Sequence, residues 1–451
     1  MTQSCLTRRS FLQSAAAGLA VPSIIPADAL GRAARRVASD RINLGIVGLG
    51  SRGFNLIDAF LGHPEAQIVA VCDVDELHYR DRQWGKGTAY GRKPAQQKIE
   101  QFYSRRISGA RKTGLSVCSD FREIVSRDDI DAVVVATPDH WHALCTLAAL
   151  RAGKDVYCEK PVTHFFHEGQ MVYREVASHN AVFQTGSQQR SDNEFRQAVE
   201  LVMNGHIGKV NSVQVGLPPG YERPMGDAAV KQPPEHLDYD FWCGPAPVLP
   251  YMRARHHRWW RGHRAYGGGV LMDWIGHHND IAHWALGVDR SGPLSVAAIG
   301  WTFPETSVYD TPHHYEIRCE YASGTTTSIS SRHPVGTKFV GEDGWIFVNR
   351  GRLHASDPRW TALDFERGPR KIHESTGHTQ NFLDCIKTRR DCIAPAETAH
   401  RSITPGHLGY VSQSLGRAIR WDAKTEQAIG DDDANRLLQT ASYREPWKLE
   451  A

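Results

Sequence analysis

Continuous apolar runs alternate with helical patterns in the first third of the chain. The helical patterns extend from Phe54 to Leu61 and over residues 142–153, where apolar side chains recur at helical spacing. Unbroken apolar runs are typical of parallel strands that are buried on both faces. The alternation therefore predicts an α/β domain with a parallel sheet. Its strands are expected at Ile42–Val47, Ile68–Val71, 131–138 and 155–161.

The pattern changes further along the chain. Residues 78–118 are basic, polar and glycine-bearing, and indicate an excursion between strands with one helix near 94–104. A later helical pattern ends at Gly205, and the runs that follow alternate apolar with polar residues or are rich in β-branched ones. These β-rich runs predict a second domain, with strands at 212–217, 294–303, 313–322 and 325–332 and a hairpin at 339–351.

Charge is concentrated at the N-terminus. The chain has 451 residues and a formal net charge of +3. Residues 1–40 account for that charge, so the remainder is neutral and has no basic stripe, which argues against nucleic acid as a partner.

The first 40 residues resemble a twin-arginine export signal. Arg8 and Arg9 precede Phe11, Leu12 and a short alanine-rich run that is too short to span a bilayer permanently. We therefore expect a protein of the periplasm, or one otherwise exported, that engages the twin-arginine export machinery. Cleavage is expected near residues 27–29 or near residue 34. The sequence has no CxxC pair or small-domain disulfide pattern. Mostly free cysteines are consistent with a substrate that folds before export in a reducing compartment.

Three glycines follow the first predicted strand and open a helix. In the spacing Gly48-x-Gly50-x-x-Gly53 they permit a tight turn, a close approach of the backbone to a diphosphate, and close packing of helix on sheet. Asp73 ends the second strand, where a carboxylate binds the ribose diol and repels a 2′-phosphate. NAD is therefore favoured, although Arg52 and Arg80 leave NADP open. The predicted cofactor-binding residues of this motif are Gly48, Gly50, Ser51, Arg52, Gly53 and Asp73.

Polar residues also follow the next two predicted strands. In open α/β sheets, ligands bind outside the carboxyl ends of the strands. The strand that ends before Pro161 makes Lys160 a candidate functional residue. These two strand ends add the following predicted cofactor-binding residues: Thr137, Pro138, His142, Glu159 and Lys160.

The chain resembles the Gfo/Idh/MocA oxidoreductases in the stretches "GIVGLGSRG", "VVVATPDHWHA", "AGKDVYCEKPV" and "GGGVLMDWIGHHNDIAHWALG". The resemblance implies a Rossmann domain and an α+β domain with a large, mostly antiparallel sheet, whose open face often forms a dimer or tetramer interface. It assigns catalytic roles to Lys160, Asp273 and His277, and a cis peptide to Pro161. The expected division is a signal and linker over 1–40, a Rossmann domain over 41–165, the α+β domain over 166–375 and a C-terminal helical segment over 376–451.

The stretch "DWIGHHNDIAH" is the densest group of candidate chemistry. On a helix, Asp273, His277 and Asp280 share one face while His278 points away, so the imidazoles diverge and no metal site is predicted. An ion held by Asp273, His277 and a distant residue stays an open alternative. Proton transfer fits better, with His277 as general base and Asp273 orienting it. Lys160 would donate to the reacting oxygen and lower the pKa of His277.

An aromatic and histidine-rich loop leads into this helix, over residues 239–269. Aromatic rings stack on sugar rings while arginine and histidine bind hydroxyl groups, so the loop predicts a sugar pocket, with an ordinary packed loop as the alternative. The predicted substrate-binding residues are Gln188, Arg190, Trp259, Tyr266 and His278.

Together these features predict an oxidoreductase that oxidises a secondary alcohol of a sugar, glycoside or cyclitol. An exported enzyme meets no soluble NAD pool, so tight retention of the cofactor is expected. The alternative is a redox-neutral glycosidase, lyase or epimerase that passes through a transient 3-keto sugar. A non-catalytic sugar- or nucleotide-binding protein and a metal-dependent hydrolase are the competing classes.

Overall fold

Two sheets organise the part of the chain that the structure describes. The computed structural model describes residues 41–82, 85–106, 114–362 and 364–449. The predicted export signal, with its cleavage site, lies outside these residues.

The first sheet is parallel throughout and has six strands in the order β5-β2-β1-β6-β7-β8. Its strands are β1 Ile42–Val47, β2 Ala66–Cys72, β5 Ser116–Cys118, β6 Ala132–Val135, β7 Asp155–Cys158 and β8 Phe183–Thr185. Strand β6 is wholly buried, which is why it lacks alternation in the sequence. The predicted Rossmann arrangement is confirmed.

Helices connect these strands, and a small hairpin interrupts them. The helices are α1 Ser51–Leu61, α2 Arg92–Arg106, α3 Phe121–Val125, α4 Asp139–Arg151 and α5 Phe166–Ser178. Helix α4 begins three residues earlier than the apolar pattern predicts, because Asp139, His140 and Trp141 are buried in its first turn. The predicted excursion also contains a two-stranded hairpin, β3 His78–Tyr79 and β4 Ala89–Tyr90.

The second sheet has nine strands in the order β15-β14-β13-β9-β12-β11-β10-β16-β17. All neighbours are antiparallel except β9 and β12, which confirms the predicted mostly antiparallel sheet. The strands are β9 Val210–Gly216, β10 Ser295–Thr302, β11 His314–Glu320, β12 Thr326–Ser330, β13 Gly336–Gly341, β14 Trp345–Asn349, β15 Arg352–Ala355, β16 Ile419–Asp422 and β17 Gln427–Ala428.

Helix α8, Gly269–Leu286, carries the predicted catalytic residues and is mostly buried. It packs against α10 and α6 and ends at Gly287, whose φ of 68° is a left-handed cap. The remaining helices are α6 Asn193–Met203, α7 Tyr239–Cys243, α9 His378–Thr388, α10 Ala396–Leu415 and α11 Asp432–Gln439. Within the described residues, no helix has the length and apolar character needed to cross a membrane.

The described cysteines are all free thiols. All eight are buried, and none forms a disulfide in the described part of the chain. Cys72 and Cys158 end β2 and β7, where the sequence indicates small apolar side chains.

Candidate active site

A cavity of about 380 Å³ lies at the carboxyl ends of the parallel strands, against helix α8. Its walls combine the glycine turn after β1, the ends of β2, β6 and β7, a short 3₁₀ helix over His257–Gly262, and α8. The predicted cofactor motif and the predicted catalytic residues therefore meet in one cavity, as the sequence indicates for a nicotinamide enzyme.

The glycine turn has the geometry that a diphosphate requires. Gly48 has a φ of 93°, and a Cβ there would lie 2.5 Å from the backbone of Ala136. A Cβ on Gly53 would lie 2.1 Å from the Gly48 oxygen, so Gly53 serves helix packing and does not line the cavity. Gly50 differs, because a Cβ there would meet no protein atom within 4 Å. Gly50 leaves open the space through which a ligand reaches the backbone.

Replacing Gly50 by alanine tests this reading. The added methyl group contacts nothing in the protein, so the melting temperature of the cofactor-free chain should stay unchanged, whereas NAD binding should weaken about tenfold or more. Gly292→Ala is the matched control, because its Cβ also meets only an ordinary contact, Ala423 at 3.5 Å. Calorimetric titration with NAD measures both variants. Unchanged affinity in Gly50→Ala would show that the diphosphate does not lie on this turn.

Asp73 stands where the motif requires an acidic residue. Its carboxylate lines the cavity and accepts hydrogen bonds from the backbone N–H groups of Leu49 at 2.6 Å and Asp75 at 2.9 Å. Burial raises its pKa above the usual value. These bonds fix the carboxylate beside the turn, in position for a ribose diol.

The other predicted cofactor residues line the same cavity: Ser51, Arg52, Thr137, Pro138, His142, Glu159 and Lys160. Two of them are already paired, since Arg52 Nε donates to Glu159 Oε1 at 2.7 Å. The Thr137 hydroxyl is buried without a hydrogen-bond partner in the described structure and is therefore available to a ligand.

His142 joins the loops that follow β6 and β7. Its ring nitrogens lie 2.6 Å from the Pro161 carbonyl oxygen and 3.0 Å from the Thr137 carbonyl oxygen. Burial lowers its pKa. A neutral imidazole has a single N–H, so it donates to only one of these two carbonyl oxygens at a time. The peptide between Lys160 and Pro161 is cis, as the family resemblance implies.

Lys160 and Asp273 form the centre of the site. Lys160 Nζ donates to Asp273 Oδ1 at 2.6 Å and to the Asp273 carbonyl oxygen at 2.8 Å. Arg261 Nε lies 2.9 Å from the same carboxylate oxygen. Burial alone would raise the pKa of Asp273, but Arg261 and Lys160 lower it well below its usual range. Asp273 is therefore a fixed anion that holds two cations in the cavity.

His277 lies one turn further along α8 and lines the cavity with 4% of its surface exposed. Its Nδ1 is buried without a hydrogen-bond partner in the described structure. Burial lowers its pKa well below the usual value, and the charges of Lys160 and Arg350 lower it further. The ring is therefore a neutral base, and the expected effect of Lys160 on it is present.

The predicted orienting role of Asp273 is not what the geometry shows. Its carboxylate pairs with Lys160 and Arg261, and no hydrogen bond joins it to His277 in the described part of the chain. A carboxylate forms stronger hydrogen bonds with two cations than with a neutral imidazole ring. Asp273 instead positions Lys160.

Two predicted substrate residues on or beside α8 are structural. Arg190 is buried and binds both carboxylate oxygens of Asp280, at 2.7 and 2.9 Å, away from the cavity lining. His278 is fully buried, and its ring stacks on the ring of Trp274 with an angle of 13° between the two planes. Neither lines the cavity, because the buried pair and the stacked ring satisfy them within the core.

The aromatic loop also differs from the prediction. Trp259 donates its Nε1–H to Asp81 at 3.0 Å, and Tyr266 is fully buried with its hydroxyl donating to the Pro247 carbonyl oxygen. Neither lines the cavity, whereas the neighbouring Trp260 does, as does the predicted Gln188. Composition identified the loop but not which of its rings face inward.

Several cavity residues are absent from the predicted catalytic, cofactor-binding and substrate-binding sets. Arg258 and Arg261 come from the 3₁₀ helix, Arg350 follows β14, and Asp139 begins α4. Burial raises the pKa of Asp139 to about 8, although Arg261 opposes this shift. The run of arginines between 253 and 264 is the signal that was present in the sequence.

One group of side chains could hold a metal ion, and it is not the histidine-rich helix. Asp75, His78 and His257 each offer a ligand atom, all within 4.8 Å of one another. His236 also reaches Asp75, with Nδ1 2.9 Å from Oδ1, so the carboxylate already has imidazole partners. The absence of a metal centre stays a prediction.

Comparisons with known proteins cover almost the whole described chain. Residues 42–187 match a family model described as "Oxidoreductase family, NAD-binding Rossmann fold". Residues 193–449 match one described as "Oxidoreductase family, C-terminal alpha/beta domain", and both models carry the Gfo/Idh/MocA designation.

Individual relatives are distant. The chain is 25% identical over 253 residues to the uncharacterized oxidoreductase YrbE of Bacillus subtilis (strain 168), an alignment that spans 55% of this chain and 62% of that protein. It is 23% identical to scyllo-inositol 2-dehydrogenase (NAD(+)) of the same organism over 70% of this chain and 85% of that one. The aldose-aldose oxidoreductase structure from Caulobacter crescentus has the same fold, with a TM-score of 0.59, 19% identity and coverage of 84% and 99%.

Proposed function

Because the chain belongs to the Gfo/Idh/MocA oxidoreductase family, we propose that it uses NAD to oxidise a secondary alcohol of a sugar, glycoside or cyclitol. The observation that carries this proposal is the meeting of the glycine turn, Lys160 and His277 in one cavity. NAD is preferred over NADP because Asp73 presents a carboxylate where a 2′-phosphate would lie.

The bound nicotinamide supplies the hydride acceptor. His277 takes the hydroxyl proton of the substrate, since its ring is neutral and lines the cavity. Lys160 donates a hydrogen bond to the same oxygen as negative charge develops there. Asp273 holds Lys160 in place and also pairs with Arg261, and the buried walls keep these charges strong.

We further propose export through the twin-arginine pathway with the cofactor already bound, and a homo-oligomer formed through the nine-stranded sheet. The first proposal rests on the paired arginines of the leader. The second rests on the alternation of buried and exposed residues along β11, which leaves one face of the sheet open.

The absorbance spectrum of the purified, extensively dialysed protein tests the proposed function. We expect retained NAD, and a new band at about 340 nm when glycosides or inositols are added without free cofactor. NAD that is lost on dialysis, with turnover only when it is supplied, would contradict retention and leave an ordinary dehydrogenase. Failure of any substrate in a panel of hexosides and inositols to reduce added NAD would contradict oxidoreductase activity on this substrate class.

A second candidate function is a redox-neutral reaction through a transient 3-keto sugar. Asp139 favours it, because this buried carboxyl lines the cavity, its Oδ2 has no hydrogen-bond partner in the described structure, and its pKa of about 8 makes it a proton donor at neutral pH. A ketone acidifies the neighbouring C–H, and a second acid–base group would then assist elimination. Release of the aglycone without net NADH formation distinguishes this reaction from simple oxidation.

A further inference from the structure

The part of the cavity around Lys160, Asp273 and His277 carries more positive charge than the carboxylates there can balance. Four cations, Lys160, Arg258, Arg261 and Arg350, line this part of the cavity, and the anion Asp273 pairs directly with two of them, Lys160 and Arg261. Asp139, the other carboxyl group there, is protonated at neutral pH because its pKa is about 8. A bound oxidised nicotinamide would add a further positive charge.

Arg258 is the cation without a partner. Within the described residues it forms no ion pair or hydrogen bond, its Nε is buried, and the side chain lines the cavity. Burial and the neighbouring Arg261 lower its pKa, so the charge is held in an unfavourable environment. The side chain as a whole is half-buried, its guanidinium lines the cavity with no carboxylate paired to it in the described structure, and a ligand there could supply the opposite charge.

Tyr221 adds a neutral donor beside this cation. Its hydroxyl is buried without a hydrogen-bond partner in the described structure. Its ring packs edge-on against Trp259, the neighbour of Arg258, with 5.7 Å between the ring centroids, although Tyr221 itself does not line the cavity. The guanidinium groups of Arg258 and Arg261, which do line it, form a donor set that suits a carboxylate.

The diphosphate of the cofactor does not account for this set. Arg258 precedes Arg261 by one turn of the 3₁₀ helix, so the two side chains lie on the same side of it, and Arg261 Nε is 2.9 Å from Asp273 Oδ1. None of these residues belongs to the glycine turn. Asp273 also holds Lys160, the residue at the reacting oxygen. Arg258 therefore faces the substrate.

We propose that Arg258 and Arg261 form a carboxylate subsite, and that the physiological substrate is an acidic sugar, namely a uronic acid or its glycoside. This proposal rests on the proposed function for the identity of the reaction, but the subsite is defined by binding alone. Arg258 is then a specificity-determining residue, and Tyr221, which packs beside it through Trp259, is a positioning residue.

Matched substrates test the subsite. The probes are methyl glucosiduronate and methyl galactosiduronate, each compared with its neutral methyl hexoside, on the wild-type holoenzyme and on Arg258→Met and Tyr221→Phe. We expect kcat/KM for reduction of the cofactor to favour the acid by about a hundredfold in the wild type. Arg258→Met should bring that ratio close to one, and Tyr221→Phe should lower it by about tenfold.

A binding measurement separates this proposal from the proposed function. Both acids are titrated into each protein by calorimetry, with melting curves to show that the variants are folded. If the acids bind, Arg258→Met abolishes that binding and no cofactor is reduced, the carboxylate subsite stands and oxidation of these sugars fails. If neutral hexosides are oxidised as well as the acids, or if the acids do not bind the wild type, the carboxylate subsite is overturned.

Discussion

Replacing Lys160 by methionine should lower the rate of cofactor reduction about a thousandfold, or about 4 kcal/mol of transition-state stabilisation. Lys160 Nζ is held by Asp273 in the cavity, and under the proposed function it donates to the oxygen that gains negative charge. Methionine fills a similar volume but donates no hydrogen bond and carries no charge. Single-turnover absorbance at about 340 nm with saturating substrate measures the loss.

The matched control for this variant is Lys154→Met. Lys154 precedes the same strand, β7, at its opposite end, and its Nζ donates to the Arg127 carbonyl oxygen outside the cavity. Its substitution should leave the rate within a few fold of the wild type. A Lys160→Met enzyme that retains its cofactor and reduces it at a tenth of the wild-type rate or faster would remove Lys160 from the chemistry.

Replacing His277 by glutamine should reduce the same rate by about a hundredfold to ten-thousandfold, the range for loss of a general base. The pH dependence is the more specific result. Because the pKa of His277 lies well below its usual value, the wild-type ring stays unprotonated as the pH falls through about 6.5. The wild-type rate should therefore be flat from about pH 7 to pH 6, and it should fall only at lower pH, where the ring gains a proton.

His278→Gln is the control for His277→Gln, because the two histidines are adjacent on α8 but only His277 lines the cavity. We expect His278→Gln to affect thermal stability, since it removes a buried stacked ring, and to leave the pH profile unchanged. A wild-type rate that halves near pH 6.5 would instead indicate an exposed, ordinary imidazole as the base.

Much of the fold follows from the sequence because local patterns determine it. Unbroken apolar runs identify parallel strands, and the glycine spacing identifies the turn, since backbone geometry at Gly48 admits few other residues. The helical face of Asp273 and His277 also follows from periodicity. These are properties of residues near one another in the chain.

The rest depends on contacts between distant segments. Arg190 is an arginine near the strand ends in sequence, but Asp280, ninety positions later, removes it from the cavity by a bidentate pair. Asp273 lies one helical turn from His277, yet Lys160 and Arg261 determine its partners. Trp260 lines the cavity and Trp259 does not. In an irregular loop the side chains do not alternate with a regular spacing, so the sequence does not show which rings point inward.

The pair between Lys160 and Asp273 has a mechanical consequence. Lys160 belongs to the loop after the Rossmann strand β7, and Asp273 belongs to helix α8. Their ion pair therefore joins the Rossmann domain to the second domain at the candidate active site. Any opening of the cavity that separates this pair would leave two charges without their partners, which is costly in free energy. We therefore expect the Lys160–Asp273 pair to resist such opening, and so to favour retention of a bound cofactor.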